Sequence, residues 1–290
     1  MKHKHAFQVM MILLIFALLS ACSPANAEAQ TQEQPTAAAE APVAEASANA
    51  CDNIFYPMTT NNQWNYQFKV NDEQTAGSHE SALSLTVSES SDSSAVLAIK
   101  SYNSENVTES IVKCQDQAIL DFPITELKMV LGELANDIDL EYESGIFMPS
   151  EQEFVANNWS MEWETNYTAN GNLQAYYEGE ELTAVMDDSP VKMKWKVVGA
   201  GESLQVPAGN FGDLVKMECE ISFDIKNLQT NIQGNDINIA TTLTLNSELW
   251  YAPHIGLIKE NVNETSIKLY GINFPIDAFG LIELTSYTIN

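Results

Sequence analysis

The sequence predicts an all-β domain, a large curved antiparallel sheet arranged as an open barrel or a two-layer sandwich, with one short helix. Apolar residues recur at every second position through segment after segment, and runs at helical spacing are scarce. The span 51–290 also contains no second linker, so its strands belong to one β-rich domain.

Trp64, Tyr66, Phe68 and Val70 alternate with polar residues, and Leu83, Leu85 and Val87 repeat the pattern. So do Trp159, Met161 and Trp163, and then Val191, Met193, Trp195 and Val197. A period of two places one strand face on a core and the other in water. The longest run is Val215, Met217, Cys219, Ile221, Phe223 and Ile225, and further strands are expected over 95–101, 107–113, 117–122, 173–185, 239–251, 255–262, 265–271 and 281–289. About a dozen antiparallel strands with wet outer faces require a curved sheet, a barrel or a sandwich. The helix is expected over Ile124 to Asn136, where Leu127, Val130, Leu131 and Leu134 share one face and Thr125 can cap the start.

The amino terminus has a different character. Lys2 and Lys4 precede an apolar stretch from Ala6 to Ser20, too short for a comfortable membrane span, which ends in Leu19-Ser20-Ala21-Cys22. Charge, length, small residues and cysteine together make residues 1–21 a lipoprotein signal peptide and Cys22 the acylated first residue of the mature chain. Each buried methylene of an acyl chain contributes about 0.8 kcal/mol, so several chains anchor a protein durably. The expected partner is therefore a membrane, reached through the lipid on Cys22, in the cell envelope outside the cytoplasm. Ser23 stands where Asp would favour inner-membrane retention, so the outer membrane is favoured in a bacterium that has one.

Residues 22–50 form the expected tether. They are rich in Ala, Glu, Gln, Pro, Ser and Thr, with Val43 the only larger aliphatic, and cannot bury enough apolar surface to offset their ordering entropy. Roughly 28 residues of coil reach about 30 Å.

Thirteen basic residues, all lysine, stand against forty acidic ones, a net charge of −27. Loss of Lys2 and Lys4 with the signal leaves eleven against forty, or −29. That balance repels phosphate backbones, and without arginine the bidentate contacts to phosphate and guanine are absent, so nucleic acid is excluded as a partner. An acidic coat keeps an exported protein soluble and attracts basic partners.

In an oxidising compartment Cys51 and Cys114 are the first choice for a disulfide, since both lie outside obvious strand interiors. Cys219 alternates in phase with Met217, Ile221 and Phe223 and reads as a buried thiol.

Motifs of catalysis are scarce. The mature chain has two histidines, His79 in what reads as a turn at Gly77-Ser78-His79-Glu80, and His254, neither at zinc-ligand spacing. There is no nucleophile elbow, phosphate loop or dinucleotide fingerprint, and no cofactor is expected. Asp137, Asp139 and Glu141, and separately Asp187 with Asp188, could approach calcium, but the first group alternates with Ile138, Leu140 and Tyr142 and is more simply the wet face of a strand. Trp64, Trp159, Trp163, Trp195 and Trp250 either line a concave ligand-binding face or fill a core.

Three segments resemble a known group. Phe55-Tyr56-Pro57-Met58 with Asn61-Asn62-Gln63-Trp64-Asn65-Tyr66 is similar to the opening YPL...GN.W.Y of uncharacterised bacterial envelope lipoproteins, among them TapB-like proteins. Val206-Pro207-Ala208-Gly209-Asn210-Phe211 resembles that group's VPAG.F turn, and Leu249 to Lys259 its WYAPG.G.VK segment, with His254 where the group usually has glycine. The resemblance implies an antiparallel β-rich envelope domain and brings no catalytic residues. The expected role is non-catalytic: an envelope domain binding a partner protein or a lipid-like ligand. The alternatives are an envelope glycan hydrolase, which would need two facing carboxyls, and a structural or adhesive surface component.

Overall fold

Alternation of inward apolar and outward polar residues builds a single antiparallel sheet of thirteen strands. The computed structural model describes residues 49–72, 77–101, 107–122, 138–177, 180–232, 235–269, 271–276 and 279–290, all within one compact unit, Glu45–Asn290. The signal peptide, Cys22, nearly all of the tether, the helix expected at Ile124–Asn136 and Asp137 lie outside the described residues.

The first six strands are β1 (Gln63–Asp72), β2 (Gly77–Ser90), β3 (Ser94–Ser101), β4 (Val107–Gln115), β5 (Ala118–Asp121) and β6 (Ile138–Gly145). Helix α1 (Glu151–Ala156) precedes β7 (Glu162–Tyr177), β8 (Glu180–Val206), β9 (Gly209–Ile232), β10 (Asn235–Ala252), β11 (Gly256–Leu269), β12 (Ile272–Ile276) and β13 (Phe279–Thr288). In space the order is β5-β4-β3-β2-β1-β13-β11-β10-β9-β8-β7-β6, with β12 on the far half of β11. The two ends of this path nearly close on each other: Ile119 N–H donates to the Met148 carbonyl at 2.8 Å, and Phe147 and Met148 N–H donate back to the Ile119 carbonyl at 2.9 and 3.0 Å. Of the two predicted arrangements the molecule adopts the barrel.

Several element boundaries differ from the sequence reading. Trp159 is not in a strand: α1 ends at Ala156 with Asn157 as its C-cap, and Asn158 and Trp159 turn through left-handed backbone (φ 51° and 55°) before β7 begins. Its place in the apolar alternation instead stacks its ring on Phe154, centroids 5.4 Å apart. The segment 173–185 is two strands, the end of β7 and the start of β8, with Tyr177 paired to Glu180. The segments 255–262 and 265–271 are largely one strand, β11. The helix α1 itself is marked by a capping box, Ser150 Oγ accepting from Glu153 N–H at 3.4 Å and Ser150 N–H donating to Glu153 Oε2 at 2.8 Å.

The interior is filled by rings. Phe55, Tyr56, Phe122, Phe147, Phe154, Trp195 and Tyr251 are each at most 3% exposed and form a connected series, with Tyr56 on Phe122 at 4.8 Å, Phe122 on Phe147 at 5.0 Å and Phe147 on Trp195 at 5.3 Å. Rings at such spacings add about 0.5–1.5 kcal/mol per pair beyond the area they bury.

Phe55 and Tyr56 come from a strand-free segment, residues 51–58, that ties three turns together at one end of the barrel. Cys51 is joined to Cys114 on β4 by a disulfide. The Asn53 amide donates to the carbonyls of Gln117 and Pro149 at 2.7 and 2.8 Å, one on each side of the closure. Ile54 carbonyl accepts from His254 N–H at 2.6 Å in the β10–β11 turn. His254 there holds φ 61°, the backbone that glycine most readily adopts, and Gly256 follows at φ 127°, where a Cβ would lie 3.1 Å from Trp64 Nε1.

Candidate functional site

The filled interior leaves the outside of the barrel to meet other molecules. Outward positions of β7, β8, β9 and β10 fall into register as charged rows: Glu162, Lys196, Glu218 and Glu248 in one, and Glu164, Lys194, Glu220 and Asn246 in the next. On this face the rows line a groove of about 610 Å³. A second hollow of about 620 Å³ continues along the same strands past Asp224, Lys226, Thr242 and Lys268, and a smaller one of about 260 Å³, bordered by Lys192 and Ser222, adjoins it at Pro190 and Asp224. The result is a trough along the outer face of β7–β11, edged by charged side chains.

Most of its charges are paired. Lys196 meets Glu162 at 2.9 Å, Lys194 meets Glu220 at 3.1 Å and Lys192 meets Glu164 at 3.4 Å. Glu162 raises the affinity of Lys196 for its proton through hydrogen bonding and charge. Glu248 is held below the usual carboxylate range, chiefly by its hydrogen bond from Lys216. Lys216 and Lys259 cover the Trp250 ring, Nζ to centroid 4.9 and 5.8 Å, while Trp250 Nε1 donates to Glu202 at 2.7 Å. Four of the five glutamates of the groove thus meet a lysine, Glu162 with Lys196, Glu164 with Lys192, Glu220 with Lys194 and Glu248 with Lys216, so the groove presents alternating charges of both signs.

The tryptophans do not form an open apolar face. Trp64, Trp195 and Trp250 are buried, and Trp159 and Trp163 are half-buried against the core. The two histidines fall apart: His79 lies within β2 opposite Val70 rather than in a turn, and His254 lies in the β10–β11 turn. Asp139 and Glu141 are exposed along β6. At Asp187 and Asp188 the main-chain carbonyls accept from Lys226 Nζ at 3.0 and 3.1 Å. Among the described residues no cluster of histidine, cysteine and carboxylate has the grouping of a metal site. Cys219 is buried and free of any disulfide.

One residue absent from the sequence reading stands out. Glu260 on β11 points inward, 1% exposed, between Leu249 of β10 and Ile282 of β13. Its Oε2 has no hydrogen-bond partner, and burial raises its pKa to about 7 against the pull of a hydrogen bond from Ser247. The signal was in the strand period, because Glu260 shares the inward phase of Ile258 and Val262.

No protein-family model matches the chain, and no curated protein matches it. Two crystal structures are similar in fold. One is a Bacteroides fragilis protein described as exported and of YmcC-like fold, with a TM-score of 0.45 and 13% identity over 81% of this chain and 99% of that one. The other is a Parabacteroides distasonis protein described as a lipoprotein, with a TM-score of 0.49 and 16% identity over 82% of this chain and all of that one.

Proposed function

We propose that this protein is a lipid-anchored lipoprotein of the bacterial envelope, favouring the outer membrane, whose barrel binds a partner protein through the outer trough of β7–β11 and catalyses nothing. The observation that carries the binding reading is the contrast between a ring-filled interior and an exterior grooved between charged rows. An interior packed with rings that are almost unexposed resists a lipid-like guest, whereas a long trough edged by exposed glutamates and lysines suits an extended protein segment carrying complementary charges of its own. Lipidation at Cys22 and the tether over residues 22–50 would hold the trough near the membrane while leaving it free to face a neighbour.

Two observations weigh against a glycan hydrolase. A general acid needs a carboxyl held neutral near working pH. Glu248, in the groove, is pushed the other way by Lys216, and Glu260, the carboxyl held near 7, is sealed inside the wall.

The test is photo-crosslinking in intact cells from probes at Glu218 in the trough and at Ile111 on the distant face of β4. A specific adduct from position 218 that disappears in a Glu220→Lys background supports the reading. Equal labelling from both positions, or an adduct indifferent to charge reversal, overturns it. In the same cells Cys22→Ser releases the protein from the membrane fraction if the anchor is as assigned.

A further inference from the structure

The path of the sheet passes from β13 to β11 through a short ladder, residues 280–283 against residues 259–262. Beyond it β11 leaves β13 and pairs with β12 instead. On either side the ladders are much longer, β10 with β11 running from Thr242 to Ala252 and β1 with β13 from Gln63 to Asn71. This short ladder joins the part of the barrel made by β1–β5 and β13 to the part made by β6–β12. Glu260 sits in the middle of it, opposite Ile282, with its side chain inside the wall.

We propose that the β11–β13 joint is a proton-controlled latch, closed while the Glu260 carboxyl carries its proton and loosened when that carboxyl ionises. Oε2 of Glu260 lacks a hydrogen-bond partner and Ser247 donates to the carboxyl, so a negative charge sealed in the wall recovers little of the hydration it loses. From β9 the nearest titratable group in the same inward row as Ser247 is the Cys219 thiol. From β1 it is Tyr66, whose hydroxyl donates to the Leu257 carbonyl at 3.1 Å. From β10 it is Tyr251, whose hydroxyl meets that of Tyr56 at 3.1 Å, and β13 presents Ile282. None of these carries positive charge. The cation of the joint, Lys259, faces outward with Glu283 opposite it, and the other buried carboxylate among the described residues, Asp121, is engaged by Lys113 at 3.0 Å near the β4–β5 turn. Burial lifts the Glu260 pKa to about 7, so the latch responds near neutral pH.

The sign follows from linkage. In the open joint the carboxyl meets water and ionises near its ordinary 4.5; the closed joint holds the proton to about 7. Closure is therefore most favoured below 4.5 and weakens as pH rises through 7. The test is hydrogen exchange of the whole mature protein, read by peptide mass spectrometry at pH about 5 and about 8 and corrected for the intrinsic pH dependence of amide exchange. Opening of the segments 259–262 and 280–283 should increase on the order of fifty-fold, while β8–β9 peptides in the same sample hold steady. Glu260→Gln should abolish the rise. A pH-independent joint in the wild-type protein overturns the latch without reference to any variant, and so does a rise that persists in Glu260→Gln. Because the readout is local opening, it does not depend on whether the trough binds a partner.

Discussion

From β7 to β10 the strands run 16, 27, 24 and 18 residues, whereas β3, β4 and β5 are 8, 9 and 4 residues long. The long strands hold one another by extended ladders and by their outer charge rows, where Lys194 and Lys196 of β8 lie between glutamates of β7 and β9. A slip of one residue would move every lysine of β8 to the inner face, so the pattern fixes register strongly. The short strands have no such reserve. There the chain uses a covalent tie, Cys51–Cys114, and the buried Asn53 amide that grips both sides of the closure. Ladder length and cross-linking thus do equivalent jobs at opposite sides of one barrel, and the β11–β13 joint between them has neither.

The largest expected effect breaks the short-stranded side. Replacing both Cys51 and Cys114 by Ala removes a cross-link spanning 63 residues, and loop-closure entropy puts the loss at about 4 kcal/mol. Urea unfolding of the oxidised wild type and the double variant measures it. Native-state hydrogen exchange should place the weakening in β4, β5 and residues 51–58, leaving β8–β9 protected. A loss shared evenly by both sides would mean that the long ladders depend on the clasp as well.

The next effect lies at the joint and depends on pH. Glu260 has its folded pKa raised from 4.5 to about 7, so its contribution to stability is complete below 4.5 and is lost as pH rises through 7. Glu260→Gln keeps a side chain of the same shape without the charge. It should match the wild type near pH 4 and exceed it by roughly 3 kcal/mol at pH 8 and above. Unfolding free energies across that range check the slope, and two parallel profiles would show that Glu260 ionises as freely in the folded barrel as in the unfolded chain.

The same contrast explains what the sequence could and could not reveal. Strand phase was legible wherever one face is core: Val191 to Val197 and Val215 to Ile225 point inward as their alternation requires. Reversals were less legible, because the arms of the β7–β8 hairpin keep the same alternation on both sides of Gly179. The trough was not legible at all. Its glutamates and lysines read as ordinary wet faces of separate strands, and only the register of β7, β8, β9 and β10 places Glu162, Lys196, Glu218 and Glu248 side by side. Glu260 was legible in principle, since a carboxylate in the inward phase violates the pattern that identified its neighbours. Asp187 and Asp188 show the converse, because nothing local announces that their main-chain carbonyls will accept from Lys226, far along the chain.

The smallest expected effect sharpens the account of the long-stranded side. Lys194 and Glu220 are 3.1 Å apart with side chains 55% and 44% exposed, so water screens them and the chain entropy of two long side chains opposes the pairing. A double-mutant cycle with Lys194→Ala and Glu220→Ala should return a coupling of about 0.2–1 kcal/mol, shrinking as salt is raised. Such a small value fits a row whose work is to define register and present charge, with the inward face of β8 and β9 supplying the stability. A coupling well above that range would make the outer rows a principal support of the long strands, and the trough would then resist the side-chain rearrangement that a partner's own charges demand.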